Sequence, residues 1–313
     1  MTDWIRPLGS TGLQISAITI GGGPLGSQPQ LFGYETPPEQ AAELIKEILA
    51  GPIRAIDTSN GYSGGESERR IGQGLAAAGG LPDDFLVVTK VDAKDRDYSG
   101  ARVRASVQES RERLGLDVLP LVHLHDPESY DFELMSGPGG AVEALVALRD
   151  EGVIGHIGLA GGPAPQMQRY LDLDVFEVLL MHNRWTLVDR SATKIIENAA
   201  SRGIGVVNAA VYGGGILAAP RSGSTKYAYR PASAETLAAV SAMAGLCDEY
   251  GTDLATAALQ FSLRDTRIAS TIVGISKPER LGPLITAAAA ELPDEFWDRI
   301  EELVPGPANW LDH

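Results

Sequence analysis

Three stretches decide the fold: Phe85-Leu-Val-Val-Thr-Lys90, then Ala101-Arg-Val-Arg-Ala-Ser-Val-Gln-Glu-Ser-Arg-Glu-Arg-Leu114, then Leu119-Pro-Leu-Val-His-Leu-His125. The outer two are short, continuous apolar runs, as expected of parallel strands covered on both faces. The middle one spaces its apolar residues helically among charged ones. Strand, helix, strand is a βαβ unit, and the same alternation recurs outward in both directions. Strands are expected at Ala17–Ile20, Arg54–Ile56, Phe85–Thr89, Leu119–Leu124, Ile154–Leu159, Val175–Leu180, Ile204–Asn208 and Thr271–Val273. Helices are expected at Pro38–Leu49, Glu66–Ala77, Ala101–Leu114, Ala141–Asp150, Pro165–Leu171, Ala192–Ser201 and Pro278–Ala289. Eight strands in this rhythm predict an α/β fold, a (β/α)8 TIM barrel, as a single domain over residues 1–313.

Two segments break the rhythm. Trp4–Leu8 and Leu13–Ser16 flank Gly9-Ser-Thr-Gly12, which reads as an N-terminal hairpin closing the lower end of the barrel. About sixty residues separate the seventh and eighth strands, enough for a Gly/Ser/Pro-rich loop at Gly213–Pro231 and extra helices at Glu235–Tyr250 and Asp253–Leu263.

Composition narrows the function. The chain has 44% hydrophobic and 21% charged residues, enough to bury a full core. With 26 Lys and Arg against 41 Asp and Glu, its charge of −15 disfavours nucleic acid as a partner. Cys247 is the single cysteine, which fits a reducing, cytoplasmic setting. Met1-Thr-Asp-Trp-Ile-Arg-Pro lacks the pattern of a signal peptide, and no apolar run is long enough to span a membrane. The expected partner is therefore a small molecule.

In a parallel barrel the functional face lies at the C-terminal ends of the strands. Three consecutive strands end in ionisable groups: Ile56-Asp57 leading to Tyr62, Thr89-Lys90, and His123-Leu-His125-Asp-Pro. A lone ionisable residue at a strand end is ordinarily solvated, but three in register suggest one site. Tyr62 is a poor proton donor or acceptor near its reference pKa of about 10 unless a cation supports its phenolate. Lys90 can supply that cation, Asp57 can hold Lys90 charged, and a histidine can hydrogen-bond the reacting oxygen. Such a group would protonate a carbonyl oxygen as hydride arrives, or take a hydroxyl proton as hydride leaves. His123 and His125 share a strand face and compete for the histidine role; the adjacent Asp-Pro favours His125.

These stretches resemble the aldo-keto reductases. The likeness rests on Ile56-Asp-Thr-Ser-Asn-Gly-Tyr62 with Gly64-Gly-Glu-Ser-Glu68, on Val88-Thr-Lys90, and on His125-Asp-Pro127. It extends from Leu8-Gly-Ser-Thr-Gly-Leu13, through His182-Asn-Arg-Trp-Thr-Leu-Val-Asp-Arg190, to Ile272-Val-Gly-Ile-Ser-Lys-Pro-Glu-Arg280. The resemblance implies a tetrad of Asp57, Tyr62, Lys90 and His125 and an extended nicotinamide dinucleotide. It would place the carboxamide end near His182 and Ala209, the diphosphate at Val211, Tyr212, Gly213, Gly215 and Leu217, and the adenosine phosphate at Gly274, Ser276, Lys277 and Arg280. Lys277 and Arg280 favour NADP(H), with NAD(H) the alternative. Ala160-Gly161, Ala209 and Leu284 depart from the family's usual nicotinamide and adenine contacts. Ala209, Asn208 and the Arg184–Arg190 run are most similar to the subgroup of D-threo-aldose 1-dehydrogenases and pyridoxal dehydrogenases. That implies a sugar or other polar carbonyl substrate, for which Trp185, Tyr212, Tyr227, Tyr229 and His123 are candidate contacts.

Other readings compete. Gly21-Gly-Gly-Pro-Leu-Gly26 matches the G-x-G-x-x-G fingerprint of a doubly wound sheet, but Ser27–Thr36 reads as loop where that motif needs an immediate helix. Five histidines without an HxxxH pair and one cysteine give no convincing metal set. A nucleotide-binding scaffold of the same fold without turnover is the alternative function.

Overall fold

The computed structural model describes residues 4–313; the N-terminal reading at residues 1–3 lies outside the described residues. Eight parallel strands form a closed barrel in the order β12-β3-β4-β5-β6-β7-β8-β9. They are β3 (Ile18–Gly21), β4 (Ala55–Asp57), β5 (Leu86–Val91), β6 (Leu119–His125), β7 (Ile154–Gly161), β8 (Val178–His182), β9 (Gly205–Ala209) and β12 (Ser270–Gly274). The earlier strands β1 (Ile5–Pro7) and β2 (Gln14–Ser16) pair antiparallel as the expected hairpin. A ribbon of β10 (Lys226–Tyr227) and β11 (Arg230–Pro231) lies within the long loop after β9.

Around the barrel run α1 (Pro29–Phe32), α2 (Pro38–Ala50), α3 (Glu66–Ala77), α4 (Gly100–Leu114), α5 (Phe132–Ser136) and α6 (Ala141–Asp150). They continue with α7 (Ala164–Leu171), α8 (Thr193–Ser201), α9 (Ala234–Glu249), α10 (Leu254–Leu263), α11 (Leu281–Ala288) and α12 (Asp294–Glu302). Helices α9 and α10 are the expected additions before the last strand. Gly21–Gly26 leads into a 3-10 turn and the four-residue α1, and the long helix starts only at Pro38, so the doubly wound reading falls.

Period-two alternation sorts each strand into two cores. Side chains facing outward, such as Val87, Val122, Leu124 and Leu179, join the helices in the larger core. Inward-facing Ala55, Leu86, Val88, Leu121, Val178, Leu180 and Val207 fill the lumen. Leu8 and Ile15 from the hairpin belong to this inner cluster and plug its lower end. The turn between them abuts β9: a Cβ on Gly9, whose φ is +59°, would lie 2.3 Å from the backbone nitrogen of Gly205. Among the described residues no helix is long and apolar enough to cross a membrane.

Candidate active site

The inward rows that begin with Ala55, Leu86 and Leu121 end, two residues at a time, with Asp57, Lys90 and His125. The apolar lumen thus passes into a polar mouth without any change of backbone pattern. Lys90 is buried and forms an ion pair with Asp57; its Nζ also donates to the Thr58 carbonyl at 2.7 Å. Burial alone would pull the Lys90 ammonium down, but Asp57, Tyr62 and Asp92 hold it above the ordinary lysine value. Tyr62 stands at the first turn after the β4 loop, with Lys90 Nζ 5.0 Å from its ring centre. The Tyr62 and His125 rings meet edge-on at 5.8 Å. Asp57, Tyr62, Lys90 and His125 are therefore brought together.

Burial pushes the Tyr62 phenol up to about 12, more than Lys90 lowers it, and Asp57, Asp92 and Asp126 add to the rise. The lysine tempers the desolvation penalty without reversing it. The phenol is consequently an acid at neutral pH.

His125 is partly exposed, whereas His123 lies one layer deeper and is fully enclosed. The His123 ring fills the space left by Gly158, where a Cβ would sit 2.1 Å from its Nδ1. Burial first, and then Lys90 and His125, hold His123 well below the usual histidine range, so it is neutral. Of the two histidines, His125 is the ring that faces the mouth.

Asp92, Asp126 and Glu128 at the mouth were not among the expected residues. Asp92 lies two positions beyond Lys90 and bonds both His125 and the β4 loop. Asp126, Glu128 and His182 converge, with their polar atoms within 4.8 Å of one another. Asp126 pairs with His182 at 3.6 Å. Burial would raise the Asp126 carboxyl, but His182, His125 and Lys90 hold it at about 2. Glu128 is raised instead, by burial and by Asp126. One buried oxygen each of Asp126 and Glu128 lacks a hydrogen-bond partner within the chain. Continuing the alternation from Lys90 by one step would have found Asp92.

The remaining expected residues divide. His182 and Ala209 are register partners at the ends of β8 and β9, and the buried Asn183 Oδ1 beside His182 has no partner. That acceptor suits a carboxamide. Gly213, Gly214 and Gly215 form a turn with φ of +57°, +75° and +105°, and open space faces Gly215, as close approach of a diphosphate requires. Val211 and Leu217 are buried, so their side chains do not reach a ligand. Tyr212 is half-buried, its phenol pushed up to about 12 by burial and by Asp253. Ser276 is buried and its carbonyl accepts from Gln40 at 2.6 Å, while Gly274, Lys277 and Arg280 are exposed. These positions fit the expected dinucleotide.

Two expected substrate contacts are corrected. Trp185 is not at the mouth: it packs in the outer core against Phe261 at 5.2 Å, under Arg190 and Arg267. Tyr227 is likewise buried there, its hydroxyl bonded to Thr186 and the Asn183 carbonyl, and burial drives its pKa far up. Large aromatic surfaces gain most from leaving water, and both hydroxyl and loop backbone found partners inside. Tyr229 remains exposed at the ribbon tip.

The aldo/keto reductase family model matches residues 17–305. This chain belongs to the aldo/keto reductase family. It is 32% identical to L-galactose dehydrogenase of Arabidopsis thaliana, over 92% of this chain and 88% of that protein. It is 29% identical to pyridoxal 4-dehydrogenase of Microbacterium luteolum, over 93% and 95% of the two chains. With D-threo-aldose 1-dehydrogenase of a Pseudomonas species it shares 30% identity over 95% and 97%. The holo form of an aldo-keto reductase from Bacillus halodurans superposes with a TM-score of 0.79 at 23% identity, covering 99% of this chain and 98% of that one. This aldo-keto reductase is an oxidoreductase enzyme of the class that uses nicotinamide cofactors, which leaves no need for the scaffold reading.

Proposed function

We propose that this aldo-keto reductase oxidises a free aldose or a related polyhydroxy carbonyl compound in the cytoplasm, using NADP(H) in preference to NAD(H). The observation that carries the reading is the acceptor-rich wall beside His125. The unpaired buried oxygens of Asp126 and Glu128, together with His182, offer what hydroxyl donors of a sugar need. The dehydrogenases to which the chain is similar are named for L-galactose and D-threo-aldoses, which supports the same class. Asp126 Oδ1 lies 3.6 Å from His182 Nε2, beyond hydrogen-bond range, so that oxygen stays open to a hydroxyl donor.

The nicotinamide, when bound, accepts or returns hydride. In the oxidising direction Tyr62 receives the proton of the anomeric hydroxyl, and Lys90 stabilises the phenolate that receives it. In the reducing direction Tyr62 donates that proton to the carbonyl oxygen. His125 hydrogen-bonds the same oxygen, and Asp57 keeps Lys90 charged in its buried position. The apolar lumen below excludes water from this group.

Lys277 and Arg280 are exposed on the turn that starts α11, where an adenosine 2′-phosphate can be held by a guanidinium fork. The test is a panel of aldoses, including L-galactose, together with pyridoxal and simple aromatic aldehydes, assayed in both directions with both cofactors. Aldose oxidation is expected; turnover of unsubstituted aromatic aldehydes alone would overturn the substrate reading. Arg280→Ala is expected to weaken NADP(H) far more than NAD(H), and equal losses would overturn the cofactor preference.

A further inference from the structure

The imidazole of His125 is held from behind by a carboxylate that the tetrad does not include. Asp92 Oδ1 lies 2.7 Å from His125 Nδ1. Its other oxygen accepts from the Ser59 hydroxyl and, at 2.6 Å, from the backbone N–H of Gly61. The Asp92 backbone N–H donates to Ser106 Oγ at 3.2 Å, and its carbonyl accepts from Arg102 Nε at 3.2 Å. Behind the pair, the Tyr98 hydroxyl accepts the His125 backbone N–H at 3.0 Å and donates to the Val91 carbonyl at 2.7 Å. The ends of β5 and β6 are therefore fastened together on the outer side, so the separation of Asp92 and His125 is fixed by backbone.

The carboxylate of Asp92 is an acceptor only, so Nδ1 must carry the proton in this pair. Nε2 is left to face the mouth, where Tyr62 meets the ring edge-on and Asp126 lies 3.8 Å away, beyond hydrogen-bond range. We propose that Asp92 is a positioning residue for the hydride-transfer reaction, fixing the His125 tautomer and turning its Nε2 toward the reacting oxygen. Because one carboxylate also binds the Gly61 amide, it ties the β4 loop that carries Tyr62 to the ring that must act beside it. The proton donor and the oxygen-binding imidazole are thereby set relative to one another by a single side chain. This rests on the reading of Tyr62 and His125 given above.

The charged and titratable groups around His125 are Asp92, Asp126, Asp57, Lys90, Tyr62 and His123. Burial and Lys90 disfavour the imidazolium, but Asp92 and Asp126 outweigh them and raise it above the usual histidine value. The raised imidazole favours the imidazolium, whose Nε2–H is a donor for a carbonyl oxygen, as reduction needs.

The test uses Asp92→Asn, which keeps a hydrogen-bond acceptor without the charge, and Ser59→Ala, which removes the hydroxyl 3.2 Å from His125 Nδ1 but leaves the carboxylate in place. Ring-nitrogen NMR of His125 in the ligand-free full chain should show Nδ1 protonated in the neutral ring. In Asp92→Asn the His125 titration should move to lower pH. The reduction rate in that variant should fall about tenfold or more through kcat, with KM changed less. Ser59→Ala should keep the tautomer and most of the rate. An unchanged His125 titration and tautomer in Asp92→Asn would overturn the proposal, as would equal losses in kcat and KM with His125 unmoved, the mark of a purely structural residue. The NMR readout needs no substrate, so an enzyme inactive toward every compound of the panel would sink the substrate reading while leaving this one decided.

Discussion

Tyr62 is the residue on which the chemistry turns. With its phenol at about 12, reduction should show no loss attributable to this group through neutral pH, while oxidation should quicken as pH rises and the phenolate fraction grows. Tyr62→Phe is expected to cut turnover by about a hundredfold or more while leaving the melting temperature and nucleotide affinity close to wild type. A variant retaining near wild-type rate would remove Tyr62 from the mechanism. Lys90→Met takes away the cation that opposes burial, so the alkaline rise of oxidation should move to higher pH. It also leaves Asp57 buried without its ion-pair partner, a loss of about 3–5 kcal/mol measurable by urea unfolding. A pH profile identical to wild type in a still-active Lys90→Met enzyme would count against the lysine's role. At this scale the sequence was legible where chemistry dictates residue type. An ion pair, a phenol and an imidazole at adjacent strand ends announce themselves, whereas Asp92 stands just past the end of β5, where the apolar run that marks the strand has already stopped.

Elements were legible wherever burial is periodic. All eight barrel strands occur where apolar runs placed them, yet the observed strands reach one to two residues further at their C-terminal ends, through Lys90-Val91, His125, Ala160-Gly161, His182, Ala209 and Gly274. Hydropathy stops where the lumen turns polar, but the backbone ladder continues for another rung. Helix α12 escaped notice because only Phe296, Trp297 and Ile300 of its nine residues are buried. The β10–β11 ribbon is too short to carry a period. It does divide the long loop. Tyr227 and the Ala228 N–H, which donates to the Gly213 carbonyl at 3.0 Å, staple the ribbon to the glycine turn, while residues 218–225 run exposed beside it. Hydrogen exchange should therefore find the Ala228 amide protected with or without nucleotide, and the amides of Arg221, Gly223 and Thr225 slowed only when nucleotide binds. Exchange in that stretch indifferent to nucleotide would mean that no closure occurs.

Across the whole molecule, a chain with a charge of −15 must place its scarce cations where they count. One such place is the chain of ions between α3 and α4. Arg113 bonds the buried Glu68 at 3.0 Å, Glu109 takes both guanidinium nitrogens of Arg102 at 2.8 Å, and Asn60 of the β4 loop joins it at 3.1 Å. Hydrogen bonding from Arg102 lowers Glu109 from 4.5 to about 2, despite the opposing effect of burial, with Asn60 assisting. A carboxyl depressed on folding adds stability that is whole above its unfolded value and is lost as pH falls through the folded one. Between pH 4.5 and 2 the wild-type enzyme should thus lose stability more steeply than Glu109→Gln. Acid titration of the urea midpoint for both proteins measures the difference, and parallel curves would show that the network carries no such linkage.

The plug formed by Leu8 and Ile15 has a consequence for the floor of the site. With the lower end sealed and the lumen filled, Asp57, Lys90 and His125 stand on packed side chains rather than over a pore, so the floor has no vacancy into which it can yield when a reactant presses on it.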